Sequence, residues 1–223
     1  QIELCIAIAE GRRWLGRKCA QGRVLYVNLE VDPASCLHRF KDVYTALGWQ
    51  GKNLKNIDIW NLRGKTVPMD KLAPKLIRRA QKRGYRAVVI DPIYKVITGD
   101  ENSAEQMAKF CNQFDKICSE LGAAVIYCHH HSKGSQGAKK SMARASGSGV
   151  FAWDPDAQLD MIELDIPETM RRQQGDKAVC KACQTYLDAH YSWQDDLSED
   201  DLLNARTMLS YCENALSKWQ MND

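Results

Sequence analysis

The chain has 223 residues, 31 Lys and Arg against 28 Asp and Glu, and 44% hydrophobic residues. That length suits one α/β domain with a small appendage, and a net charge of +3 is too small to indicate a nucleic-acid partner by itself. No run approaches the ~18 apolar residues of a membrane span and no signal peptide is seen, so a membrane is not an expected partner. The nine cysteines are scattered and odd in number, which predicts a reducing, cytoplasmic setting.

The chain opens on Gln1-Ile-Glu-Leu-Cys-Ile-Ala-Ile-Ala-Glu10, which reads as the middle of an amphipathic helix stopped by Gly11. It has neither cap nor initiator Met, so residues are expected upstream. Arg23-Val-Leu-Tyr-Val-Asn-Leu-Glu30 is a buried strand ending in an acid. Asp32-Pro33 opens a helix that runs to about Leu47 and is closed by Gly48. Ile57 to Leu62 is a third apolar run, and a loop through Gly64 and Pro68 leads to a basic helix over 69–83. Ala87-Val-Val-Ile90 suits a strand buried on both faces of a parallel sheet. A helix follows over 103–121, then a strand over 123–128. Residues 132–149 are rich in Gly, Ser and Lys, residues 156–164 alternate like a last strand, and the remainder is polar and helical in pattern. Strands alternating with helices predict a mostly parallel sheet with right-handed crossovers.

Chemistry concentrates where apolar runs end. Asp91 follows four apolar residues, and a carboxylate there lies at the carboxyl edge of the sheet, where α/β proteins bind ligands. Its functional reading is an acid that holds Mg²⁺ through water; the plain alternative is a turn cap. Glu30 ends its strand in the same way and is a candidate to polarise an attacking water. The second edge carries His129-His-His131-Ser-Lys133. Adjacent strand residues alternate faces, so three consecutive histidines do not converge on one zinc ion. One histidine directed at a γ-phosphate is the better reading. Cys180-x-x-Cys183 stands alone, without a second pair, and reads as two helical thiols. Lys133, Lys139, Lys140 and Arg144 sit in a glycine-rich stretch without acids. Such a loop suits either contact with the backbone of single-stranded DNA or plain solvation.

Taken in order, strand–Glu30, strand–Asp91, Gly99-Asp-Glu-Asn-Ser103 entering a helix, strand–His130 with Ser132-Lys133-Gly134, and Arg144-Ala-Ser-Gly-Ser-Gly resemble the RecA-like ATPase core of RepA-type hexameric replicative helicases. The resemblance covers residues 1–164 and leaves 165–223 as a small, mostly helical appendage. It implies a RecA-like α/β fold, ATP and Mg²⁺ as cofactors, Glu30 as catalytic carboxylate, Asp91 as Mg²⁺-holding acid and His130 as γ-phosphate sensor. It also implies a ring, expected to be a hexamer, whose central channel is faced by the loop after Lys133 and takes single-stranded DNA. Two features depart from the pattern. The phosphate-binding loop Gly-x-x-x-x-Gly-Lys-Ser/Thr is absent and is expected just before Gln1. Where the family places an arginine finger the chain reads Asp154-Pro-Asp-Ala-Gln158, which leaves Arg144 as the local candidate. Two other readings stay open: a regulatory or recombination-type ATPase without unwinding, and a binding or assembly module that hydrolyses nothing.

Overall fold

In the computed structural model, residues 1–129 and 149–159 are described. Among the described residues four parallel strands form the sheet: β3 (Arg23–Asn28), β4 (Ile57–Asn61), β5 (Tyr85–Asp91) and β6 (Ala124–Tyr127), in the order β4-β3-β5-β6. Five helices accompany them: α1 (Ile2–Glu10), α2 (Pro33–Ala46), α3 (Met69–Ala80), α4 (Ala104–Leu121) and α5 (Val150–Trp153). This is the expected RecA-like α/β arrangement. A two-stranded hairpin, β1 (Arg13–Trp14) with β2 (Arg17–Lys18), was not expected. It is too short to show a period, and its turn places Leu15 at a positive φ of 47° beside Gly16.

Each face of the sheet buries its own core, because side chains alternate along a strand. Leu25, Val27, Val88 and Ile90 point to one face and pack with α3 and α4 through Leu72, Leu76, Met107, Phe114 and Ile117. Val24, Tyr26, Ala87 and Val89 point to the other and pack with α1 and α2 through Cys5, Ile6, Cys36 and Phe40. The central strands β3 and β5 are covered on both sides, which is why they read as unbroken apolar runs.

The helix boundaries follow local chemistry. The Asp32 carboxylate caps α2 by accepting from the amides of Ala34 and Ser35, and Pro33 supplies the first turn. Ser103 caps α4, which Gly122 ends at a φ of 60°. The basic helix ends at Ala80, three residues earlier than expected, because residues 81–83 form a turn before β5. β5 in turn begins at Tyr85, ahead of the apolar run. Residues 156–159 carry no strand; the rest of the expected last strand, the helical appendage over 165–223 and Cys180 and Cys183 lie outside the described residues. Among the described residues no helix is long and apolar enough to cross a membrane.

Glu10 ties α1 to α2 and to the α2–β4 connection. Its carboxylate accepts from the Tyr44 hydroxyl, the Asn53 amide and the Asn53 side chain, each at 2.9 Å. Partial burial alone would push its pKa up, but the hydrogen bonds from Asn53 and Tyr44 outweigh it and hold the group below its ordinary 4.5. A carboxyl depressed on folding stabilises fully above its unfolded pKa and less as pH falls through the folded one. Glu10→Gln should therefore lower stability by about 1–2 kcal/mol at neutral pH. Urea titrations should show that deficit shrinking below pH 4.5. A deficit that grows on acidification would contradict this account.

Candidate active site

The strands end in register at one edge. Asn28 pairs with Asn61 on one side and with Asp91 on the other. β5 and β6 pair through Ile90 and Tyr127, so Cys128 follows opposite Asp91. Asn61, Asn28, Asp91 and Cys128 thus form a polar row at the carboxyl edge, on the α1/α2 side of the sheet.

Asp91 is held within this row. Its Oδ2 accepts from the Tyr26 hydroxyl and its Oδ1 from Cys128 Sγ at 2.7 Å. Burial, reinforced by the hydrogen bond to this carboxylate, pushes both donors far above their usual titration range, so phenol and thiol stay protonated. The N-terminal half of α1 lies close to this edge, near enough for the Asp91 carboxylate to act electrostatically on Cys5. A helix N-terminus beside a carboxylate edge is a setting that suits phosphate groups.

Glu30 stands just past β3 and is exposed. Its position is set by Asn28, which is only 1% exposed. Asn28 Nδ2 donates to the Val31 carbonyl at 2.6 Å and to Asn61 Oδ1 at 2.8 Å. Its Oδ1 accepts from the Val31 amide at 3.0 Å and, more loosely, from the Glu30 amide at 3.4 Å. The side chain thus folds the backbone of residues 28–31 into one turn. The Glu30 carboxylate accepts from the Tyr94 hydroxyl at 2.7 Å. Tyr94 belongs to the short helical turn Ile93–Lys95 directly after Asp91-Pro92, so the two candidate acids are linked through neighbouring segments.

Of the expected site residues, Glu30 and Asp91 come together at the ends of adjacent strands. His130, Lys133, Lys139, Lys140 and Arg144 lie outside the described residues. Their neighbour His129 packs against Phe151 in a tilted arrangement, with ring centroids 4.4 Å apart. The sequence reading passed over Asn28, Tyr26, Tyr94 and Cys128. Asn28 left one usable signal, a polar residue inside an otherwise apolar buried strand. The others depend on spatial partners that no spacing shows.

The chemistry fits Mg²⁺ as a shared ligand of protein and nucleotide. That ion takes few protein carboxylates and fills its shell with water and phosphate oxygens. Asp91 offers one such carboxylate at the edge. Among the described residues no group of three or more His, Cys, Asp or Glu is arranged to hold an ion alone.

A family model described as an AAA domain matches residues 1–136, more than half of the chain. The chain belongs to this AAA domain family. Family membership carries an ATPase-type function, with ATP and Mg²⁺ as the usual pair of cofactors. The match spans both Glu30 and Asp91. No curated protein matches the chain.

The Asn28 geometry of this AAA domain predicts a specific sensitivity. Asn28→Ala would leave buried amide and carbonyl partners unsatisfied, at a cost of about 1–3 kcal/mol. Thermal or urea unfolding should show that loss, and Asn61→Ala should show a smaller one because only one of the four bonds is removed. Equal stability of Asn28→Ala and wild type would mean that water replaces the side chain in this turn.

Proposed function

We propose that the chain is a DNA-dependent ATPase that assembles into a ring, expected to be a hexamer, and moves along single-stranded DNA as a replicative helicase. The observation that carries the ATPase part is the placement of Glu30 and Asp91 at the ends of adjacent parallel strands, with Asp91 pinned by Tyr26 and Cys128. The resemblance of the histidine-bearing strand end and the basic loop to ring helicases supports the finer reading.

In this reading Asp91 holds Mg²⁺ through water. When bound, the ion would supply positive charge against the charge that develops during phosphoryl transfer. Glu30 polarises the attacking water, and the hydrogen bond from Tyr94 keeps its carboxylate at the edge. Phosphoryl transfer asks mainly for position and electrostatics, which an exposed acid on a braced turn provides. His130 senses the γ-phosphate, and Arg144 of a neighbouring copy completes the site. Lys133, Lys139 and Lys140 contact the DNA backbone without reading bases.

The test uses the full-length protein. Glu30→Gln should keep ATP binding and lower turnover on the order of 10²–10³, the usual loss for one positioned electrostatic group. Asp91→Asn should instead weaken the Mg²⁺-dependent part of nucleotide binding. Turnover of Glu30→Gln close to wild type removes Glu30 from the mechanism. Mixed Arg144→Ala and Glu30→Gln chains should regain activity, since each supplies what the other lacks; no rescue in confirmed rings makes Arg144 a loop residue. ATP turnover that single-stranded DNA stimulates, without unwinding of a duplex, would place the chain among recombination-type or regulatory ATPases.

A further inference from the structure

Positive charge is dense in one stretch of the chain. Residues 63–86 contain nine Lys and Arg and a single acid, Asp70, so this stretch carries +8 in a chain whose net charge is +3. All nine basic side chains are exposed. Lys71, Lys75, Arg78 and Lys82 recur at helical spacing and form one row along α3 and the turn that follows it. Among the described residues none of these four takes part in a salt bridge. The adjacent α4 is different: it carries three acids and two lysines, with Lys109 bridged to Glu105 at 2.6 Å. The helix dipole favours cations in a last turn, which accounts for Arg78 and Arg79 but not for Lys71 in the first turn or Lys75 in the middle.

A recess of about 310 Å³ opens beside the end of this row, lined by Asp58, Trp60, Arg79, Arg83 and Tyr85. A register shift at the start of the β3–β5 pairing turns Tyr85 toward the α3 side, away from the face of Ala87 and Val89. There its hydroxyl donates to Asp58 Oδ2 at 2.6 Å, and Arg23 pairs with the same oxygen at 2.9 Å. The one acid in the recess is therefore already neutralised by the protein. Arg79 lies over the Trp60 ring at 5.8 Å and is exposed, so the recess presents planar groups under positive charge.

We infer that the α3 face, with the Trp60–Arg79 recess at its end, is a binding surface for single-stranded nucleic acid. Successive cations along α3 stand about 4.5–6 Å apart along the axis, so each can meet a different phosphate. The recess takes one base between aromatic and guanidinium planes, a mode that tolerates any sequence. The face exposes no large hydrophobic side chain, whereas an amphipathic membrane-binding helix needs such residues to insert. The recess reaches the amino end of β5, whose first residue is Tyr85, whereas α3 runs antiparallel to the strands and begins near the carboxyl edge, where the Met69 amide donates to the Val96 carbonyl. Tyr85 thus stands roughly 20 Å of strand from Asp91, and the row of cations along α3 spans the distance between the two edges. The surface shares no residue with the stretch that carries Lys133, Lys139 and Lys140, and its existence does not depend on hydrolysis.

Binding of a labelled oligothymidylate, followed by fluorescence anisotropy across a salt series, tests this surface. For single strands the slope of log K against log salt is about −0.7 per phosphate neutralised. Lys71→Ala/Lys75→Ala/Arg78→Ala should therefore flatten the slope by about 2. The same triple change in a chain already carrying Lys139→Ala and Lys140→Ala should flatten it equally, which separates this surface from the loop. Arg79→Ala should weaken binding roughly fivefold or more, the lower end of a lost stacking contact. These side chains are exposed, and unfolding curves matching wild type would confirm that the fold is kept. An oligouridylate arm tells RNA from DNA, and tight binding of either supports the inference. An unchanged slope in the triple variant overturns it. So does failure to bind either oligonucleotide, or α3-dependent binding only to phosphatidylserine vesicles or polyglutamate, which would assign the face to a lipid or an acidic protein.

Discussion

The in-register parallel pairing of β3 with β5 is the constraint on which everything else rests. Both strands are buried on both faces, so neither can slip by one residue without exchanging its two sets of side chains between two different cores. That same register sets Asn28 beside Asp91 and carries Glu30 to the edge where Asp91 ends. The core thus fixes the position of the candidate site as a consequence of fixing itself. Nothing at the edge has to be strong for the acids to be well placed.

Local hydrogen bonds then refine what the register sets coarsely. Tyr26 reaches Asp91 because it faces the same side of the sheet two residues before Asn28, and Cys128 reaches it because β6 runs alongside. A half-buried carboxylate with two neutral donors keeps a defined orientation without a counter-ion, which leaves its charge available for a ligand. The Asn28 amide has a complementary task. It satisfies the backbone where the strand stops, so the chain can turn sharply and present an exposed acid. The site is therefore made of one constrained acid and one presented acid, with different surroundings and different uses.

The two ends of the same strands differ in character. The carboxyl edge gathers acids, neutral donors and the start of α1. The amino edge gathers Arg23, Asp58 and Tyr85 beside the arginines that close α3. A parallel sheet delivers all its strand beginnings to one side and all its ends to the other, so opposite chemistries can be kept a strand length apart.

The sequence by itself determined the elements whose signals are local. The apolar runs ending at Glu30 and Asp91, the Asp32-Pro33 start of α2, the Ser103 start of α4 and the ends of α1 and α2 at Gly11 and Gly48 all depend on nearest neighbours and are found where expected. The basic character of α3 was equally plain, although its exposure as one uninterrupted row was not. Tertiary structure decided what depends on pairing between distant segments: the strand order, the partners of Asp91, the turn built on Asn28 and the reach of Tyr94 to Glu30. It also decided the face of Tyr85, because a register shift changes which side a residue points to without changing the sequence pattern. The hairpin at 13–18 stayed hidden for the opposite reason, since two residues per strand are too few to show any period. Spacing along the chain records the periodicity of one element, and only the folded sheet records which elements share an edge.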